Sequence, residues 1–182
     1  MTSATTAPAR RPSRPLAAIA VGGLIAGVLD ITSAIVAYLP DGVSPVQIMQ
    51  SVARGALGKS AFEGGWRTAL IGLGFHFLIA FTAAAVYYLA SRELRFLTRR
   101  PYLSAFLYGE AVFLFMRLVV MPLSTIGFHM PKLDWQNCLA GWGGHIFLVG
   151  LPIALATRHF APHRDDAAPA APPSRSASVR AP

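Results

Sequence analysis

Five ionisable side chains stand inside stretches that are otherwise apolar: Asp30, His76, Glu110, Arg117 and His145. Carboxylates and imidazoles change charge between about pH 4 and pH 7, so these residues could pass protons or ions. Asp30, His76, Glu110 and His145 could equally bind a divalent metal, and His76 with His145 could supply the two axial ligands of a haem, although no attachment motif accompanies them. The plainest chemistry is hydrogen bonding between helices, with both imidazoles neutral and the polar groups fixing register and partner choice. No Ser-His-Asp arrangement, Gly-rich nucleotide turn or metalloprotease helix occurs, so the expectation is a protein that is not an enzyme and needs no cofactor, with metal and haem left open.

The surroundings decide what positions these groups. The chain has 182 residues, 54% hydrophobic and only 13% charged, with a mean hydropathy of +0.49, whereas soluble domains carry about 25% charged residues. Lipid must therefore replace water around much of the surface. Four apolar segments, 16–39, 66–90, 102–123 and 136–157, are each near the roughly 20 residues that cross about 30 Å of hydrocarbon as a helix. They lack the alternation of barrel strands, so backbone groups can be paired in lipid only by helix formation. The expected fold is all-α: a four-transmembrane-helix bundle over 16–160. The flanks, 1–15 and 161–182, are Ala, Pro, Ser and Arg mixtures and are expected to be disordered. The first segment is too long for the apolar region of a cleaved signal and carries Asp30 where a small-residue cleavage site would be needed.

The segments centre near residues 28, 78, 112 and 146, which puts Asp30, His76, Glu110 and His145 each within about two residues, roughly 3 Å, of the bilayer midplane. A charge at that depth costs about 2.5 to 3.5 kcal/mol, so such residues face the bundle interior and pair. Arg117 lies two turns outward of Glu110 on the same face, where it could neutralise Asp30 or extend to the outer headgroups. Small residues share the polar stripes: Gly23, Gly27 and Ala34 with Asp30, Gly72, Ala80 and Ala83 with His76, and Gly141 with His145 and Pro152. Close helix approach needs such residues, so the titratable groups are expected on the packing faces.

Basic residues set orientation. Arg10, Arg11, Arg14, Arg92, Arg95, Arg99, Arg100, Arg158, Arg164, Arg175 and Arg180 fall on one side of the four segments, against Arg54, Lys59, Arg67 and Lys132 on the other. The excess marks the cytoplasmic face, with both termini inside. These arginines suit anionic lipid headgroups, and tails without aromatic residues give no reason to expect nucleic-acid binding.

The first outer loop should hold one more element. Ser44 is a helix cap, Pro45 suits the first helical position, Val46, Met49, Val52 and Ala53 recur at helical spacing, and Gly58 sits where a helix stops. This reads as an amphipathic helix lying in the outer interface or folded over the bundle. Residues 53–60 also fit a relaxed phosphate-loop pattern, but they end a helix instead of opening one. Trp66, Trp135, Trp142, Tyr87, Tyr88 and Tyr102 fall near segment ends, as an aromatic belt does.

The runs GGLIAGVLDITSAIV (22–36), GVSPVQIMQSVARGALG (42–58), GFHFLIAFTAAAVYYLASR (74–92), VVMPLS (119–124) and GHIFLVGLPIALA (144–156) resemble the YagU-like family of uncharacterised bacterial inner-membrane proteins, over about residues 20–160. The resemblance implies a four-span protein of the bacterial cytoplasmic membrane, with Asp30, His76 and His145 at matching positions and a broad association with acid stress. Glu110 and Arg117 lie in a stretch that matches the pattern poorly. The functional expectation is a polytopic membrane protein handling protons or ions. The alternatives are a structural or accessory subunit, homo-oligomeric or bound to a membrane partner, and a bis-histidine haem protein.

Overall fold

In the computed structural model, which describes residues 14–127 and 139–161, every regular element is helical. Helix α1 (Pro15–Tyr38) starts with proline at its first position, where the missing N–H is not needed. It ends in a 3-10 turn, Leu39–Asp41, closed by Gly42 at φ 76°, a left-handed conformation that glycine adopts without strain.

Helix α2 (Pro45–Leu57) carries the expected cap. The Ser44 hydroxyl accepts from the Gln47 N–H at 3.3 Å and the Gln47 side-chain oxygen accepts from the Ser44 N–H at 2.8 Å, satisfying two otherwise orphaned donors. Gly58, at φ 67°, ends the helix. Replacing Ser44 with alanine should lower stability by about 1 kcal/mol. Thermal unfolding of the detergent-solubilised protein measures this, and an unchanged midpoint would show the cap to be idle.

Helix α3 (Gly65–Glu93) is followed by one short turn, α4 (Phe96–Arg99). Pro101 then opens α5 (Pro101–Leu123). Over Met116–Val120 this helix widens into π-type winding. The last helix, α6, is described over 139–160, with π-type winding at Leu139–Gly143 and His145–Gly150 before regular α-helix at Leu151–Phe160. In α5 and α6 alike, a widened segment ends two residues before a proline, Pro122 and Pro152. Proline cannot donate to the carbonyl four residues back and crowds it, and a wider turn relieves the conflict.

Residues Arg14–Ala161 pack as one unit, and glycines decide where its helices touch. Gly23 and Gly27 of α1 lie against Phe81 and Phe77 of α3, and Gly22 on the neighbouring stripe lies against Ile153 and Ala156 of α6. Gly109 of α5 meets the backbone of His145 and Ile146, and Gly150 of α6 meets that of Ala105. Helices α3 and α5 join where the Tyr108 hydroxyl donates to the Ala83 carbonyl at 2.6 Å. Ala26, Ala84, Tyr87, Leu97, Ala105, Val149, Ile153 and Ala154 form the core, so α1, α3, α5 and α6 converge near the α4 end.

Outward, the helices are apolar. Pro15–Asp41, Gly65–Glu93 and Pro101–Leu123 are long and apolar enough to cross a membrane, with at most 22% of the residues in each apolar window buried. Leu24, Leu78, Phe106 and Phe147 are among many large side chains on the outside, as a lipid-facing surface requires. Residues 136–138 of the fourth expected segment lie outside the described residues, as do Cys138, Trp135 and nearly all of both tails. Helix begins at Pro15, the last residue of the expected N-terminal tail.

The extra helix α2 folds against α3. A Cβ at Gly72 would overlap the Met49 carbonyl oxygen, so the two backbones are in contact there. Buried Gln50 donates to the Gly65 carbonyl at 3.0 Å and to the Thr68 hydroxyl at 3.2 Å. At its other end α2 is tied to α5, through Thr125 N–H to the Gly55 carbonyl at 3.0 Å and the Thr125 hydroxyl to the Arg54 carbonyl.

Candidate functional site

Each mid-span ionisable residue is half-buried, on a helix that presents it at an inter-helix contact or one turn from it. His76 shows most clearly how the sequence arranges this. It lies four residues beyond Gly72, on the face of α3 that meets α1, and its Nε2 donates to the Gly27 carbonyl at 2.8 Å. A carbonyl can only accept, so Nε2 carries the proton. The bond joins residues 49 positions apart on two helices, at a place where Gly27 lets Phe77 and Ala80 of α3 come close. His76 also meets Phe77 edge-on at 5.5 Å.

Asp30 is on α1, three residues past Gly27, and its own carbonyl accepts from the Ser33 hydroxyl at 2.8 Å. Asp30 is thus about one turn along α1 from the residue that His76 bonds.

Glu110 and His145 form the corresponding neighbourhood on α5 and α6. Gly109, next to Glu110, packs on the His145 carbonyl. The His145 ring turns back into its own helix, where Nδ1 donates to the Gly141 carbonyl at 2.8 Å, leaving Nε2 outside that bond. Its face meets Phe113 at 5.3 Å between centroids. Phe113 also meets Trp142 edge-on at 6.2 Å and lies under the Arg117 guanidinium, whose carbon is 5.8 Å from the ring centroid. Glu110, Phe113 and Arg117 follow at spacings of three and four, so one stripe of α5 holds them.

The five candidates thus divide by helix into Asp30 and His76 on α1 and α3, and Glu110, Arg117 and His145 on α5 and α6. Among the described residues Arg117 makes no ion pair with Asp30 or Glu110, and its Nε is buried without a hydrogen-bond partner. Among the same residues, no three of His, Cys, Asp and Glu gather as ligands for a metal ion. His76 commits Nε2 to a carbonyl, whereas His145 keeps Nε2 available.

Several organising residues escaped the sequence reading. Tyr87, assigned to an aromatic belt, is fully buried. Its hydroxyl lies 2.9 Å from the Leu97 carbonyl and 2.8 Å from the Ser104 hydroxyl, and its ring meets Tyr108 at 4.9 Å. Tyr88 is also buried, while Trp66 and Tyr102 are exposed as a belt requires. Gly109, Gly150 and Phe113 lie outside the expected contact stripes; a glycine adjacent to Glu110 is the signal that points to Gly109.

Comparison with known protein families, with curated proteins and with solved structures finds no match to this chain.

Proposed function

We propose that this chain is a four-span protein of the bacterial cytoplasmic membrane, with both termini in the cytoplasm, that acts as a structural or accessory subunit whose mid-span polar groups fix helix packing. The observation that carries this reading is the His76 bond to the Gly27 carbonyl, a half-buried donor spent on locking α1 to α3. The helix at 139–160 is the fourth span in this reading, and α2 sits at the outer interface while folded onto α3. The excess of arginine beside α4 and at the termini supports the orientation. Membership of the YagU-like proteins belongs to the same proposal and rests on the runs around Asp30, His76 and His145. The partners are lipid and either a second copy or another membrane protein.

A second reading, proton or ion handling, is favoured by Asp30 and Glu110 themselves. Their carboxyl groups are held at mid-span without a hydrogen-bonded protein partner among the described residues, and groups so placed can load and release protons. One experiment separates the two. If the groups only pack helices, His76→Leu should lower the unfolding midpoint in detergent by the equivalent of about 0.6 kcal/mol, the average for a polar pair in a bilayer. Asp30→Asn should then leave proton flux into liposomes at the background of empty vesicles, as should the native protein. A pH-driven flux in the native protein that Asp30→Asn abolishes would replace the packing reading with the transport one.

A further inference from the structure

We propose that Arg117 is a phosphate-binding residue: its guanidinium, seated on Phe113 beside Trp142, holds the phosphate group of a phospholipid or of free phosphate. The argument begins with cost. Arginine does not deprotonate in proteins, and within the hydrocarbon region its charge costs about 2.5 to 3.5 kcal/mol unless something compensates it. Among the described residues no carboxylate does. Among the described residues neither Asp30 nor Glu110 pairs with Arg117, and its Nε is sealed in the protein without a partner. The Phe113 ring, 5.8 Å from the guanidinium carbon, attracts the charge but accepts none of the N–H groups in the plane of the fork. The residue as a whole is only half-buried, so its terminal nitrogens remain at the surface.

A planar fork of unmet donors fits a tetrahedral oxyanion, and the position of Arg117 favours phosphate as that oxyanion. Arg117 lies six residues before Leu123, the end of α5, about 9 Å at 1.5 Å per residue. A long side chain directed toward that end can bring its head to the level of lipid headgroups while its stem stays among apolar groups. Trp142, 48% exposed and packed on the same Phe113 ring, brings an indole N–H, and Trp is characteristic of that level.

Full-length protein in a neutral detergent, titrated by calorimetry, tests the assignment with three probes: short-chain phosphatidylglycerol, inorganic phosphate, and short-chain diacylglycerol lacking phosphate. Native protein should bind the phosphatidylglycerol and not the diacylglycerol, and Arg117→Gln should weaken binding at least tenfold without lowering the unfolding midpoint. Inorganic phosphate binding as tightly as the lipid would support the site with free phosphate as its ligand; binding of the lipid alone would support the headgroup. Arg117→Lys keeps the charge and loses the fork, and should weaken binding several-fold, which preserves the test if the glutamine variant does not fold. Equal affinity in native and both variant proteins, equal binding of the diacylglycerol, or no binding of either phosphate probe would overturn the assignment.

Discussion

Gly150→Ala is expected to be the most damaging glycine-to-alanine change at the α5–α6 contact. A Cβ there would overlap the Ala105 carbonyl oxygen and sit 3.0 Å from the Gly109 nitrogen. Both obstacles are backbone, so neither can rotate aside, and the helices must separate. Overpacking typically costs about 1 to 3 kcal/mol, and a contact with no flexible partner should reach the upper end of that range. The obstacle facing Gly72→Ala is of the same kind, the Met49 carbonyl of α2. Gly74→Ala supplies the control, since nothing lies within 4 Å of its would-be Cβ. Unfolding midpoints in detergent should fall for Gly150→Ala and Gly72→Ala and hold or rise for Gly74→Ala. Three similar values would mean that the helices do not approach as closely as described.

Tyr87→Ala carries the second large effect. The ring is fully enclosed at the junction of α3, α4 and α5, and deleting a buried aromatic side chain costs about 3 to 5 kcal/mol through lost transfer energy and the cavity left behind. Tyr87→Phe should cost much less, about 1 kcal/mol. The Leu97 carbonyl would keep the Ser104 hydroxyl, 3.0 Å away, as a donor. The ratio of the two losses, read from denaturant or thermal unfolding, tests whether volume or the hydroxyl matters more. Equal losses would shift the emphasis to the hydrogen-bond triangle of Tyr87, Ser104 and Leu97.

What the sequence disclosed and what it concealed divide along physical lines. Long helices were legible because their signal is composition over some 20 residues, and α2 because capping is local: Ser44, Pro45, Gln47 and Gly58 speak for themselves without reference to the rest of the chain. Facing residues were not, because they depend on which helix lies opposite. The stripe through Gly23 and Gly27 was visible, but that Gly22 one residue earlier serves a different neighbour follows only from α1 being gripped on two sides. Tyr87 stands near the end of its segment and resembles a belt residue in sequence; it is buried because α4 folds over it. Arg117 was expected to have a choice of Asp30 or headgroups. Among the described residues no ion pair with Asp30 forms, since Asp30 belongs to α1, whose contacts are chiefly with α3 and α6. A stripe spaced at 3.6 residues per turn holds only for α-winding, and it fails ahead of Pro122 and Pro152, where the helices widen.

Those widened turns also bear on length. The apolar helices run 27, 29 and 23 residues for Pro15–Asp41, Gly65–Glu93 and Pro101–Leu123. At 1.5 Å per residue these are about 40, 44 and 35 Å, against a hydrocarbon core of about 30 Å. Looser winding shortens the third further. Helices α1 and α3 are therefore each longer than α5. Hydrophobic mismatch of this kind is relieved by tilt or by local changes in bilayer thickness, at fractions of a kcal/mol per ångström. Helices α1 and α3 thus have more length than α5 to accommodate in one bilayer.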